Sequence, residues 1–328
     1  MNANLQEKCQ LFVDNKEMLQ KCFRWEDRTM SLLASSIYTS ANRRVNEERL
    51  KECEKILKKQ TGVFSSFRGN LKTCLIVKMA LSDDPIGFLE GVQAVYKMLK
   101  KGILDSERRI LAAMSIYEHK GLEGAEYFVT KTNEIYKQMA KQHPFLTSEE
   151  DIPFAAILAI SGKDSNALLS EAENCYSLLK KKFHSDNAAQ SLSHIMALDV
   201  KQAQTKAERV VAIFDGLKAC KKRYGKNHEL ATLGVLSMMD LNVESIVSEV
   251  SWVDDFLKEQ KGIGGIFGIG RTIRLMYAAL IVADIHMEND NMQGVVMSST
   301  LTAVIAMEIA MMVIVTASVT TTATSSSH

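Results

Sequence analysis

The histidines are the first place to look for chemistry in this chain of 328 residues: His119, His143, His184, His194, His228, His286 and His328. Four of them, His143, His184, His194 and His228, stand near acids, namely Glu149, Glu150, Asp151, Asp186 and Glu229. Imidazole beside carboxylate is the pairing that general acid–base catalysis uses and, with enough ligands, one that holds zinc. The spacing is not that of a known metal motif, since no H-x-x-x-H or H-E-x-x-H occurs. Nothing resembles a nucleophile elbow, a P-loop or a Ser-His-Asp arrangement. The sequence therefore implies no metal and no cofactor. His194 lies inside the apolar run Leu192 to Leu198, where a lone histidine is more often a satisfied core residue than a catalytic base.

A second candidate is the string Gly262-Ile-Gly-Gly-Ile-Phe-Gly-Ile-Gly-Arg-Thr-Ile-Arg274. It fails the dinucleotide fingerprint because Phe267 occupies the last glycine position and no strand precedes it. It suits a backbone nest leading into a helix N-terminus, with Arg271 and Arg274 adding charge for a phosphate or carboxylate. A small anionic ligand is the corresponding expectation. The competing reading is a linker with solvated arginines.

The elements that must position these groups come from a repeat. Tyr96, Tyr136 and Tyr176 are spaced by 40 and 40 residues, with Phe214 following after 38. The apolar residue three places on extends the series as Leu57, Leu99, Met139, Leu179, Leu217 and Leu257. A period near 40 is the signature of stacked helical hairpins. Each of these segments is amphipathic: Leu89, Val92, Tyr96 and Leu99 fall on one helical face, with Lys97, Lys100 and Lys101 off it. Between them lie more apolar stretches, at 32–38, 75–81, 110–117, 154–160, 192–198, 233–239 and 276–283. Near-continuous apolarity implies burial on most sides. Each unit thus reads as a buried first helix, a turn and an amphipathic second helix that covers it. Only three prolines occur, which favours a nearly all-helical chain. Asp84-Pro85, Asp164, Asn227 and Asn242 suit helix starts, Thr205-x-x-Glu208 matches a capping box, and Gly62, Gly102 and Gly262 suit helix stops.

The expected organisation is a hairpin-repeat domain over residues 1–285, including one extra amphipathic helix at 3–23. An apolar C-terminal helix at 286–319 would dock on the repeats or be buried between subunits of an oligomer, and 320–328 would form a disordered tail. The run Val295 to Val319 is interrupted by Ser298, Ser299, Thr300, Thr302 and Glu308 and has no basic flank, which argues against a membrane span. Lys plus Arg is 40 against 39 for Asp plus Glu, a net charge of +1. That balance gives no electrostatic case for nucleic acid or an anionic membrane surface. Six cysteines without a C-x-x-C pair suit a reducing compartment. Met1 to Val13 carries no apolar signal region. A cytoplasmic location is the expectation.

Several local strings carry a resemblance: Phe64-Ser-Ser-Phe-Arg-Gly-Asn70, His143-Pro-Phe-Leu-Thr-Ser-Glu-Glu-Asp151, Gln190-Ser-Leu-Ser-His194 and Glu229-Leu-Ala-Thr-Leu-Gly234. As a set they resemble a bacterial family of uncharacterised proteins, domain of unknown function 4003, over roughly residues 5 to 285. The resemblance implies a cytosolic protein of a Gram-positive bacterium and carries over no catalytic residue. All four strings fall at or near junctions between one hairpin and the next, and in stacked hairpins such junctions share an edge. Loops on one edge of a repeat array commonly form a binding surface. Arg68, Asn70, Thr147, Glu150, Asp151, Gln190, His194, His228, Glu229, Arg271 and Arg274 are the candidate binding residues on it. Caps and tight turns are the competing reading for each string.

The fold expected is all-α, with tandem hairpins of about 40 residues stacked as an open α-solenoid or superhelix, or closed as an α/α toroid. An open array needs polar terminal caps, and the apolar C-terminal run argues for closure or for a partner. Two functions follow. One is a scaffold that binds a protein or peptide. The other is an enzyme whose site on the junction edge would require Arg68, Glu150, Asp151, His194, His228 and Glu229 to converge.

Overall fold

The computed structural model describes residues 3–23, 28–63, 65–100, 106–227, 229–265 and 268–289. Expectations for the C-terminal run and tail fall, from residue 290 onward, outside these residues, as do those for Gly102 and His228.

Among the described residues there are fourteen α-helices and no strand. They are α1 (Ala3–Cys22), α2 (Arg28–Ser40), α3 (Glu47–Gln60), α4 (Lys72–Leu81), α5 (Pro85–Leu99), α6 (Glu107–Lys120), α7 (Ala125–Gln142), α8 (Ile152–Ile160), α9 (Ser165–Leu179), α10 (Asp186–Met196), α11 (Ala203–Ala219), α12 (Leu230–Met238), α13 (Val243–Lys258) and α14 (Arg271–Asn289). Single 3-10 turns at Ser66–Arg68 and Glu149–Asp151 precede α4 and α8. No described helix is long and apolar enough to cross a membrane.

The helices alternate between two kinds, for the reason the hydrophobic pattern gives. Every residue of α8 is buried, as are Leu230 to Ser237 of α12. Such helices are apolar all round and must be covered on all sides. By contrast, α3 buries only Leu50, Cys53 and Leu57, a stripe of period three to four with lysines and glutamates opposite. The six aligned positions Leu57, Leu99, Met139, Leu179, Leu217 and Leu257 are all at most 1% exposed. At roughly 2 kcal/mol of transfer free energy each, such positions fasten the amphipathic helices onto the apolar ones.

Helix-to-helix packing follows that alternation. Among the apolar helices, α2 packs on α4, α6 on α8, α8 on α10, α10 on α12, α12 on α14, and α14 on α2. Among the amphipathic ones, α1 packs on α3, α3 on α5, α5 on α7, α7 on α9, α9 on α11, α11 on α13, and α13 on α1. Small residues allow the closest of these approaches. A Cβ placed on Gly234 of α12 would lie 3.0 Å from side-chain carbons of Leu192 and Ile195 of α10.

The helix read as an extra at 3–23 is integrated into the layers: α1 packs on α2, α3, α13 and α14. Lys8 and Asp284 form a buried ion pair at 2.7 Å, and Lys8 also donates to Asn42 Oδ1 at 2.8 Å. The Phe12 and Tyr277 rings meet at 5.6 Å, and Lys16 donates to the Lys261 carbonyl.

Local caps are mostly where the sequence places them. Asp84, Asp164 and Asn242 accept from Gly87, Ala167 and Ser245 amides. Two expectations are corrected. Thr205 lies inside α11, which starts two residues earlier after Gln202, so Thr205 and Glu208 do not form its cap. At α12 the residue before the first helical turn is Glu229, not Asn227. The Glu229 carboxylate bends back to accept from the Asn227 amide.

The buried tie between α1 and α14 yields a test. Lys8→Ala leaves a carboxylate without its cation, a change that typically costs about 3–5 kcal/mol. Lys8→Met combined with Asp284→Leu is expected to regain at least half of that loss, measured by urea unfolding of both variants.

Candidate functional site

The sequence-derived candidates fall into separate groups along the junctions. Arg68 donates through Nε to Thr61 Oγ1 at 2.9 Å and through its guanidinium to the carbonyls of Lys58 and Thr61. It thereby caps the C-terminal end of α3, satisfying acceptors that a helix end leaves open. Asn70 is exposed, and its backbone amide donates to Glu107 Oε1 at 2.7 Å. Glu229 is buried over its own turn. Beneath that turn, the Tyr224 and Thr232 hydroxyls are hydrogen-bonded to each other, and burial pushes the Tyr224 phenol far up from its ordinary value.

Thr147, Glu150, Asp151 and Gln190 do form a cluster, at the starts of α8 and α10, while His194 lies in the last turn of α10. Ser148 and Asp151 make a reciprocal capping box, with the Ser148 amide donating to Asp151 Oδ2 at 2.9 Å. Gln190 Nε2 donates to Thr147 Oγ1 at 3.2 Å. Glu150 pairs with Arg108 at 3.4 Å, and its neighbour Glu149 pairs with the buried Arg109 at 3.0 Å. His143 sits within 2.6 Å of Glu173 and edge-on to Tyr176. His194 is buried against Phe154, and its Nδ1 has no hydrogen-bond partner. The space bounded by Glu150, Asp151, Phe154 and Gln190 is only about 10 Å³, about one water's worth.

The electrostatics of this cluster are set by burial. Burial raises the Asp151 carboxyl from 3.8 to about 6, with Glu150 adding to the rise and the Ser148 amide and His143 opposing it. Burial lowers the His194 imidazole from 6.5 to about 3, with His143 adding to the fall. Both groups are thus held toward their neutral forms.

Arg271 and Arg274 belong to a different cleft, of about 630 Å³, between the ends of α11 and α13 and the start of α14. Asp254 is 2% exposed and holds two cations, Arg274 Nε at 2.7 Å and Lys222 Nζ at 2.8 Å. Lys222 also reaches Asp255. Burial alone would lower the Lys222 pKa, but its bonds to Asp254 and Asp255 outweigh that and hold it above its ordinary value. Arg271 is exposed at the rim.

The structure therefore brings Thr147, Glu150, Asp151 and Gln190 together, sets His194 deeper against Phe154, and keeps Arg68, Glu229 and the Arg271–Arg274 pair in other surroundings. Among the described residues no three His, Cys, Asp or Glu side chains are grouped as metal ligands would be. Sequence reasoning missed Arg109, Lys206 and Asp254. All three are charges on an apolar stripe: Asp254 stands one turn from Val250 and Leu257, both fully buried. Lys206 is completely covered and bonds Glu171 and the Met196 carbonyl. A charge at a core-facing register position is the signal that would have found them.

The described residues, α-helices whose junctions carry polar clusters, define an all-helical class. Residues 15–310 match the family model described as protein of unknown function (DUF4003), and the chain belongs to that family. It is similar to the uncharacterized protein YeaA of Bacillus subtilis (strain 168), 25% identical over 307 residues and covering 88% of each chain. No solved structure matches.

The opposed shifts at Asp151 and His194 give opposite pH signatures. A raised carboxyl favours the fold below pH 3.8, and that contribution is lost as pH rises through about 6. Asp151→Asn keeps an acceptor for Ser148 and should stabilise the protein by on the order of 2 kcal/mol at pH 7.5, with no gain at pH 4. A lowered imidazole favours the fold above 6.5, and that contribution is lost as pH falls toward 3. His194→Met should gain on the parent by about 2 kcal/mol between pH 7 and pH 5. Urea unfolding at each pH reads both.

Proposed function

We propose that the helices form a closed α/α toroid of seven hairpins, and that the chain is a binding scaffold whose working surface is the junction edge. Support for closure comes from the packing of α14 on α2 and of α13 on α1, which joins the last described helices to the first in both layers. Equivalence of the units is supported by a recurring contact. Phe67, His143 and Phe183, each from a junction, pack edge-on against Tyr96, Tyr176 and Phe214 of the following amphipathic helix, at 4.9–5.2 Å. Tyr96, Tyr176 and Phe214 of the series read from the sequence all make that contact.

The observation that carries the binding reading is Phe145, which is 99% exposed in a junction whose backbone is pinned. The amides of Leu146 and Thr147 donate to the His143 carbonyl, and the Ser148–Asp151 box, the Thr147–Gln190 bond and the His143–Glu173 pair fix both flanks. An aromatic held in water by a rigid frame loses little entropy on association, which is how interface anchors work. The same frame accounts for the neighbouring candidates: Thr147, Asp151 and Gln190 hold the loop. A protein or peptide segment is the ligand class that suits a flat, aromatic-tipped edge. Catalysis fits less well, because the space beside Asp151 admits no substrate.

Position 145 tests this reading. Phe145→Ser should leave the thermal midpoint within about 1 °C, since exposed positions contribute little to stability. A photo-cross-linking residue at 145, in the cells that make the protein, should give one discrete partner adduct. The same residue at Val200, exposed in the α10–α11 turn, should give none. A smear of adducts at both positions, or none at either, would defeat the proposal.

A further inference from the structure

The cleft at the start of α14 carries a charge imbalance that the rest of the protein does not share. Among the described residues five cations line it, Lys221, Lys222, Lys258, Arg271 and Arg274, against two acids, Asp254 and Asp255, a net charge of +3. The whole chain is only +1. Both acids are already engaged. Asp254 holds Lys222 and Arg274, and Asp255 holds Lys222. Lys221, Lys258 and Arg271 have no acidic partner among the described residues. Lys221, Lys258 and Arg271 are exposed and partly screened by water, and an anion placed among them gains from all three.

The backbone supports the same conclusion. Lys221 has a φ of +61° just past the end of α11, where the Lys222 amide closes onto the Leu217 carbonyl. Glycine is the usual residue at that position of a helix end. A lysine there costs about 1 kcal/mol of backbone strain, and its ammonium lines the cleft. Across the cleft Arg274 is held by Asp254, so the guanidinium is oriented before any ligand arrives. Gly265, with a φ of +79°, lines the wall without a side chain. A volume of about 630 Å³ lies within the roughly 300–1,000 Å³ range of small-molecule sites and exceeds what a single inorganic anion fills.

We propose that this cleft, lined by Lys221, Lys258, Arg271 and Arg274 around the Asp254 anchor, binds a small molecule carrying two or more phosphate charges. Guanidinium and ammonium together suit phosphate oxygens, the fork giving direction and the lysines point charge. The site stands apart from the Phe145 edge contact, and neither reading rests on the other.

Cys220 lines the same cleft and is exposed, which gives a direct readout. Inorganic pyrophosphate is the probe, with citrate as an arm of similar charge. In the full-length protein, pyrophosphate should bind by titration calorimetry and slow alkylation of Cys220 at least five-fold by site-resolved mass spectrometry, leaving Cys22 unaffected. Lys221→Gly removes the charge and relieves the left-handed strain, so it should fold at least as well as the parent yet bind about ten-fold more weakly. Arg271→Gln at the exposed rim should do the same, and the two together should abolish protection. Citrate should protect no more than one-tenth as well. The proposal is overturned if millimolar pyrophosphate gives neither heat nor protection. It is equally overturned if citrate matches pyrophosphate, or if the Lys221→Gly and Arg271→Gln double variant binds as the parent does.

Discussion

The contact of the first helix with the last described one is the longest-range constraint among the described elements. Lys8 meets Asp284, Phe12 meets Tyr277 and Lys16 meets the carbonyl of Lys261. Each contact is polar or aromatic and specific in geometry, unlike the interchangeable aliphatic contacts of the interior. Hydrophobic burial holds apolar helices together but is non-directional. A buried ion pair tolerates few registers, because a partner displaced by one turn leaves a charge in the core. The aliphatic layers therefore supply the bulk of the free energy, while the α1–α14 seam selects how the units are placed around each other.

The same division explains what the sequence discloses. Periodic burial is a property of single helices, so the apolar runs such as 154–160 and the aligned leucines were legible without any tertiary information. Caps at Asp84, Asp164 and Asn242 were legible for the same reason, being contacts over three residues. Thr205 misled because a capping-box pattern also arises by chance within a helix, and α11 begins earlier. Part of the role of α1 was hidden because two of its packing partners, α13 and α14, are separated from it by more than 200 residues. An amphipathic helix at the terminus reads as an addition until its apolar face is seen against α14.

The polar candidates show a related limit. Gly262 to Arg274 drew attention as a glycine-rich run ending in two arginines, yet the residue that organises that region is Asp254, one helix earlier. Arg68 stood out within a recognisable string and proves to close the end of α3. Short strings mark junctions well, since a junction is a local structure. They do not reveal which junction side chains face one another, because that depends on the rotation of whole helices. Charges on apolar stripes carry more of that information: Arg109, Lys206 and Asp254 each mark a place where two units are joined by a buried polar contact.

The seam also has a consequence for biogenesis. Hairpins such as α6–α7 and α7–α8 are made of neighbours in sequence and can dock as soon as they leave the ribosome, since short loops close quickly. The surface that α1 covers on α13 and α14 follows it in the chain by more than 200 residues. At roughly 5–20 residues per second, α1 can dock on α2 at once, while the part of it that meets α13 and α14 waits on the order of ten seconds or more. A ribosome stalled before α14 would release a chain whose α1 rests on α2 but keeps bare the strip that belongs against α14.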